Sequence, residues 1–264
     1  MNIFLCGLRL DGAPITKREL FAPIARLPKN EWQTSSSGAF AATALAGRAS
    51  LRPLIGQFRT TFGAGDVRLD NRSELLSLAG IEDQGVSDLE VVLAAIDRRG
   101  ADIIPRILGD FAFVAWDARA QRLVAARDAF GVKPLYYRRT ADHLLLASRL
   151  DPLCGDEQID RDYIADFLLG LPSAGPLTIW KNTFSVQPGG MLVQRGSVTA
   201  QSCYWSAQNF SPGTAQSEPA AAERFRELFS SAVRQRIEPG ETWSQLSGGL
   251  DSSAVVSTAE WLRE

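Results

Sequence analysis

The sequence predicts an α+β protein made of sheets stacked face to face with helices outside, followed near its C-terminal end by the opening of a nucleotide-binding α/β unit. Two observations carry the first part. Short apolar or alternating runs recur closely through the first 205 residues, and only a few amphipathic helical stretches interrupt them. A third observation carries the second part. Thr242-Trp243-Ser244-Gln245-Leu246 reads as a short strand, Ser247-Gly248-Gly249 as a tight turn, and Ser253 to Arg263 as a helix with Val255, Ala259 and Leu262 on one face.

In chain order, Ile3 to Leu10 is apolar enough for a buried first strand, and Asp11-Gly12 closes it with a hairpin signal. Ile15 to Leu27 reads as an amphipathic helix and Thr34 to Gly38 as a polar gap. Phe40 to Ala46 is ambiguous between strand and helix. Phe62 to Leu69 is a strand candidate, with a short helix around Glu74 to Ala79. Ser87 and Glu90 form a capping box, which opens a helix with Val91, Val92, Ala95 and Ile96 on its apolar face. Phe111 to Asp117 is a continuous apolar strand with Leu123 to Arg127 as its hairpin partner, and Tyr136-Tyr137 and Leu144 to Ala147 add two more. Asp160 to Leu169 is a helix candidate. Met191 to Gln194 and Val198 to Ala200 flank a turn at Arg195-Gly196-Ser197. Ser206 to Pro219 is polar and rich in Ser, Pro and Gly, as a linker is. The expected domains are therefore 1–205, a linker at 206–219, and 220–264, which opens with a helix carrying Phe225, Leu228, Phe229, Val233 and Ile237 on one stripe.

Composition narrows the function. With 45% hydrophobic and 22% charged residues the chain is an ordinary globular one, and a net charge of -2 argues against a nucleic-acid partner. No apolar segment reaches membrane-spanning length, so no membrane partner is expected. Cys6, Cys154 and Cys203 are odd in number and far apart, which indicates neither disulfides nor a zinc site and fits a reducing cytoplasm. The lone histidine, His143, stands at a strand start as a surface residue, so histidine triads are excluded. Homo-oligomerisation is left open.

The most informative stretch is Ser247-Gly248-Gly249-Leu250-Asp251-Ser252-Ser253. Small residues let an anion approach the backbone, and the positive end of the helix behind them favours a polyphosphate. No lysine follows, so this is not the Walker-type loop, and a carboxylate beside phosphate calls for a bridging Mg²⁺ on Asp251. In a bare glycine-serine turn, helix capping would explain the same residues.

The seven residues resemble the pyrophosphate-binding loop of the ATP pyrophosphatases. Upstream, Gly109-Asp110-Phe111-Ala112-Phe113, Arg127-Asp128 with Gly131, Pro134, Leu135 and Tyr136, Ala147-Ser148 and Tyr204-Trp205 resemble the asparagine synthetase family. That resemblance implies an N-terminal glutamine amidotransferase-like domain of the Ntn-hydrolase type, a four-layer αββα sandwich. It also implies a Rossmann-like synthetase domain, of which only the truncated start lies before Glu264. The chain alone is then expected to be an inactive piece or a binding module without ATP–pyrophosphate exchange.

The implied cofactors are ATP and Mg²⁺, held by Leu246, Ser247, Gly248, Gly249, Asp251, Ser252 and Ser253, with Asp251 as the metal ligand. Active family members carry a cysteine next to Met1, whereas here Asn2 stands there. An amide is no nucleophile, so no catalytic residue is expected in the amidotransferase domain. Cys6 would serve only after N-terminal processing, and its position reads instead as a small buried hydrophobe. Gly65, Asp66 and Asp88 match vestigial glutamine-binding positions, although for Asp88 a helix-dipole role explains the residue as well. Arg127 and Asp128 are expected to set a loop, as an ion pair. The segment Asp66 to Arg72 resembles β-lactam synthetase and the lasso-peptide macrolactam cyclases, which lack the cysteine. The expected reaction is carboxylate activation as an acyl adenylate and capture by an amine of a small-molecule or peptide substrate, including a precursor peptide. Glutamine-hydrolysing asparagine synthesis is the alternative.

Overall fold

A computed structural model describes residues 2–16, 19, 32–47, 52–154, 158–171, 175–209, 217–237, 240 and 243–263. The chain forms two compact units, Met1–Asn209 and Phe210–Glu264, which divide inside the expected linker.

The first unit is an α+β sandwich of two antiparallel six-stranded sheets. Its strands are β1 (Ile3–Arg9), β2 (Gln33–Ser37), β3 (Phe40–Leu45), β4 (Ile55–Phe58), β5 (Thr61–Leu69), β6 (Gly109–Asp117), β7 (Arg122–Arg127), β8 (Tyr136–Arg139), β9 (His143–Ala147), β10 (Thr183–Ser185), β11 (Gly190–Arg195) and β12 (Val198–Cys203). One sheet runs β10-β8-β9-β1-β3-β2 and the other β12-β11-β7-β6-β5-β4. Helices α1 (Arg72–Ala79) and α2 (Asp88–Arg99) cover the second sheet, and α3 (Arg161–Leu168) follows β9.

The continuous apolar run in β6 is explained by burial on both faces. Ala112, Val114 and Trp116 point between the sheets, against a cluster that includes Phe4, Cys6 and Leu8 of β1 with Phe40 and Leu123. Phe111, Phe113 and Ala115 point the other way, into a second cluster with Leu89, Val92, Leu93 and Ile96 of α2. The alternation has period two, so a slip of one residue would exchange the two cores. Helix α2 is nucleated as its sequence indicates. The Ser87 hydroxyl accepts from the Glu90 amide, and the Glu90 carboxylate accepts from the Ser87 amide in return.

The structure differs from the expectations in several places. The polar stretch taken as a gap is β2, whose Gln33–Ser37 backbone pairs with β3 at the sheet edge. An edge strand needs no apolar side chains when its backbone is paired, and serines there blunt the edge. Phe40–Leu45 is strand, and the short strands β4 and β10 carry too few residues for a periodicity. Asp11-Gly12 does turn the chain, with Gly12 donating to the Arg9 carbonyl, but β1 pairs with β3 and β9 rather than in a tight hairpin. Of the four expected layers, two sheets and the helices on the second are described. The outer face of the first sheet holds Leu5, Ala41, Ala147 and Leu153 with Ile15 and Trp32 beside them, while the helix expected over Ile15 to Leu27 lies largely outside the described residues.

The second unit contains α4 (Glu218–Arg234) and α5 (Leu250–Trp261). The strand expected before the glycine turn is not formed at residues 243–246. An extended segment becomes a strand only when a neighbour completes its hydrogen bonds, and no strand is described within this unit. Helix α5 begins at Leu250, three residues earlier than expected.

Because Phe113 is fully buried between β6 and α2, Phe113→Ala is expected to destabilise the sandwich by about 3–5 kcal/mol. Ser87→Ala, which removes only the cap, is expected to cost about 1 kcal/mol. Urea unfolding of the sandwich measures both, and equal losses would contradict the placement of Phe113.

Candidate functional site

At the carboxylate of Asp66, in the middle of β5, meet the residue before β1 and the loop after β7, and the segment after β3 joins them through Asn2. Asn2 Nδ2 donates to Asp66 Oδ2 at 3.0 Å, and the Gly47 amide donates to Asn2 Oδ1 at 3.0 Å. Lys133 Nζ donates to the same Asp66 oxygen at 2.9 Å. The Asp66 side chain is 13% exposed and that of Lys133 27%, so the ion pair is partly withdrawn from water. Gly65, just before it, has no room for a side chain: a Cβ would lie 2.6 Å from Cβ of Phe113 and 2.8 Å from the Ala112 carbonyl oxygen on β6.

Lys133 is held by the loop it belongs to, and the loop is held by Asp128. The Asp128 carboxylate is 1% exposed and accepts from four backbone amides, those of Phe111 (3.3 Å), Phe130 (3.1 Å), Val132 (2.9 Å) and Lys133 (2.9 Å). Arg127 serves the same loop from the other side, with Nε to the Lys133 carbonyl at 2.8 Å and Nη2 to the Gly131 carbonyl at 2.8 Å. Burial lowers the pKa of this guanidinium, opposed by Tyr136 and Asp128. Arg127 and Asp128 were expected to pair with each other. Instead the guanidinium is used up on carbonyls and the carboxylate on amides, so each shapes the backbone. Tyr204, whose phenol pKa burial pushes up, stays protonated and donates to the Arg127 carbonyl at 2.7 Å.

Cys6 lies in the middle of β1, fully buried and in register with Ala42 and Leu146. Burial pushes its thiol well above the ordinary range, against a hydrogen bond with the Ala64 backbone. A thiol held neutral in this way is no nucleophile. Asp88 is placed apart from Asp66. It caps the open edge of β5, accepting from the Leu69 amide at 2.9 Å and from Arg72 Nη1 at 2.5 Å, beside a cleft of about 260 Å³ lined by Arg52, Val67, Ser87 and Leu89. Thus the structure brings Asn2 and Asp66 together and leaves Asp88 with different partners. Sequence reasoning missed Gly47, Lys133 and the amide-accepting role of Asp128. The signal for the last two is the Arg127-Asp128 to Tyr136 segment, whose resemblance rests on Arg127, Asp128, Gly131, Pro134, Leu135 and Tyr136 and not on Lys133.

In the second unit, Gly248 has φ +78° and nothing within 4 Å of where its Cβ would be. That backbone conformation suits glycine and leaves the turn open. Gly249 caps α5 with no side-chain hydrogen bond to the first turn. Ser247 and Ser252 hold the turn together through their hydroxyls at 2.9 Å, and Ser252 Oγ donates to the Gly249 carbonyl. Asp251 lies exposed in the first turn, with Ser253 behind it donating its amide to the Gly249 carbonyl. Leu246 and Leu250, on either side, are exposed. Among the described residues no three His, Cys, Asp or Glu side chains cluster as a metal site. No helix there is long and apolar enough to cross a membrane.

The geometry makes Lys133 dependent on Asp128. Asp128→Ala leaves four amides without their acceptor and is expected to destabilise the sandwich by more than about 3 kcal/mol, whereas Tyr204→Phe, losing one hydrogen bond, costs about 1 kcal/mol. Thermal unfolding distinguishes them, and a Tyr204→Phe loss as large as that of Asp128→Ala would contradict the hierarchy.

Residues 70–205 match a family model described as a glutamine amidotransferase domain. Asn2, Gly47 and Asp66 precede the matched range, while Asp88, Asp128 and Lys133 lie inside it. Amidase chry2 of Gibberella zeae is 31% identical over 192 residues, covering 67% of this chain and 27% of that protein. Glutamine-hydrolyzing asparagine synthetase 3 of Bacillus subtilis is 32% identical over 197 residues, covering 72% and 31%. The chain therefore spans roughly a third or less of the length of these relatives. Among solved structures, glutamine phosphoribosylpyrophosphate amidotransferase from B. subtilis aligns at TM-score 0.42 and 17% identity, over 98% of this chain and 58% of that one. With more than half of its residues matched by the family model, the chain belongs to the glutamine amidotransferase domain family, and its relatives make that domain one of the asparagine synthetase type.

Proposed function

We propose that this chain provides the amidotransferase-like domain and the opening of the synthetase domain of an ATP-dependent amide-forming ligase that works without hydrolysing glutamine. The observation that carries the second half of this reading is Asn2. It stands where the resemblance puts the nucleophile, its carboxamide is engaged at both ends, and Cys6 is sealed inside β1. With no thiolate or hydroxyl available at the start of β1, ammonia release from glutamine has no nucleophile.

The first half rests on residues 247–253. A turn opened by Gly248 and a helix start without a side-chain cap suit the phosphates of ATP, with backbone donors at Gly249 and Ser252 and hydroxyls at Ser247 and Ser253. The exposed carboxylate of Asp251 in the first turn suits Mg²⁺, which when bound neutralises charge between phosphate oxygens. A substrate carboxylate attacks the α-phosphorus of ATP and pyrophosphate leaves; an amine then attacks the acyl carbon of the adenylate, forming the amide as AMP departs and the amine loses a proton. The chain's donors favour the step by meeting the negative charge that grows on pyrophosphate. Without a glutaminase the amine belongs to the substrate itself, a small molecule or a precursor peptide as for the macrolactam cyclases. A second reading, glutamine-hydrolysing asparagine synthesis, is favoured by the names of the Bacillus relatives.

In the protein that carries this chain, Asp251→Ala is expected to lower Mg²⁺-dependent ATP–pyrophosphate exchange about a hundredfold or more. Unchanged exchange would remove Asp251 from the site. Glutamate release from glutamine should be absent, and release abolished by Cys6→Ala would establish the second reading.

A further inference from the structure

We propose that Asn2 is an internal ligand: its side chain fills a site for a primary carboxamide and shuts that site to free amides. The site consists of one donor and one acceptor. The Gly47 amide meets the carbonyl oxygen of the Asn2 side chain at 3.0 Å, and Asp66 Oδ2 meets its nitrogen at 3.0 Å. A backbone N–H and a carboxylate oxygen, set on either side of a planar CONH₂ group, are complementary to a primary amide. They are complementary neither to a carboxylate, which would face Asp66 with a like charge, nor to a tertiary amide, which has no N–H. The acceptor is held in place before any amide arrives, because Lys133 Nζ binds the same Asp66 oxygen at 2.9 Å and the Asp128 loop fixes Lys133. The donor comes from the segment after β3 and the acceptor from β5, whereas the occupant is Asn2, just before β1, so removing its side chain leaves the pair standing.

The inference is separate from the ligase reading, since it concerns only the sandwich and needs no nucleotide. It predicts that a small amide restores what an Asn2 truncation removes. The full chain carrying Asn2→Gly is titrated with acetamide, and with acetate and N,N-dimethylacetamide for comparison, while the melting temperature and the Gly47 amide resonance are followed. Acetamide should raise the melting temperature and shift the Gly47 resonance saturably, with an affinity on the order of millimolar for so small a ligand. The unsubstituted chain should not respond, nor should Asn2→Gly respond to the other two compounds. Asn2→Leu, which fills the space without pairing, should melt several degrees lower and be insensitive to acetamide. A response shared by Asn2→Gly and the unsubstituted chain, or acetate acting as well as acetamide, would overturn the inference. If Asn2→Gly does not fold, Asn2→Leu decides alone: stability equal to that of the unsubstituted chain would show that the carboxamide is not recognised.

Discussion

The carboxylate of Asp128 is the constraint from which the rest of the first unit's site follows. A buried carboxylate is tolerated only when hydrogen bonds replace its lost water, and here four backbone amides do so. Those amides belong to the start of β6 and to the loop after β7, so satisfying one side chain fixes the conformation of residues 130–133. The backbone of the same residue adds to this, since its carbonyl accepts from Gly131 and Gly189 and its amide donates to Phe111. Lys133 then has little freedom in where it reaches, and it reaches Asp66. Asp66 in turn orients Asn2. The order of dependence runs from a buried acid, through a loop and an ion pair, to the second residue of the chain.

This dependence explains which parts were legible in the sequence. Alternation and apolar runs revealed β1, β5, β6 and β7, because each buries two faces or one face strictly and the side-chain pattern records it. The capping box announced α2, because Ser87 and Glu90 act locally, three residues apart. β2 was not legible, because its contribution is backbone pairing at an edge and its serines carry no hydrophobic signal. The same holds at the site. Asn2 and Asp66 were singled out from the family resemblance, yet their contact spans 64 residues and that with Lys133 spans 67. Nothing in residue type or spacing states that an asparagine, an aspartate and a lysine so far apart share one oxygen.

The two units differ in how their sequence signals turned into structure. In the sandwich every expected strand found a partner, and the structure extends or shifts it by a residue or two. Residues 243–246 were expected as a strand too, but a strand is defined by what lies beside it, and the described part of that unit holds two helices only. The glycine turn and the helix after it form regardless, because they need only local hydrogen bonds and a positive φ at Gly248. What is local in residues 243–253 is therefore present, and what depends on neighbours is not.

Position 2 shows what the surroundings of β1 demand of the residue just before it. A thiol there would offer one weak donor and a weak acceptor, and could not satisfy both the Gly47 amide and the Asp66 carboxylate. A carboxamide satisfies both at once, while Lys133 pairs the charge of Asp66. Asn2 thereby ties the Gly47 segment and Asp66 to the start of β1 through hydrogen-bond complementarity to its two partners. A thiol in place of the amide would leave the partly buried Gly47 N–H with at most a weak acceptor, while Asp66 would keep its pairing with Lys133.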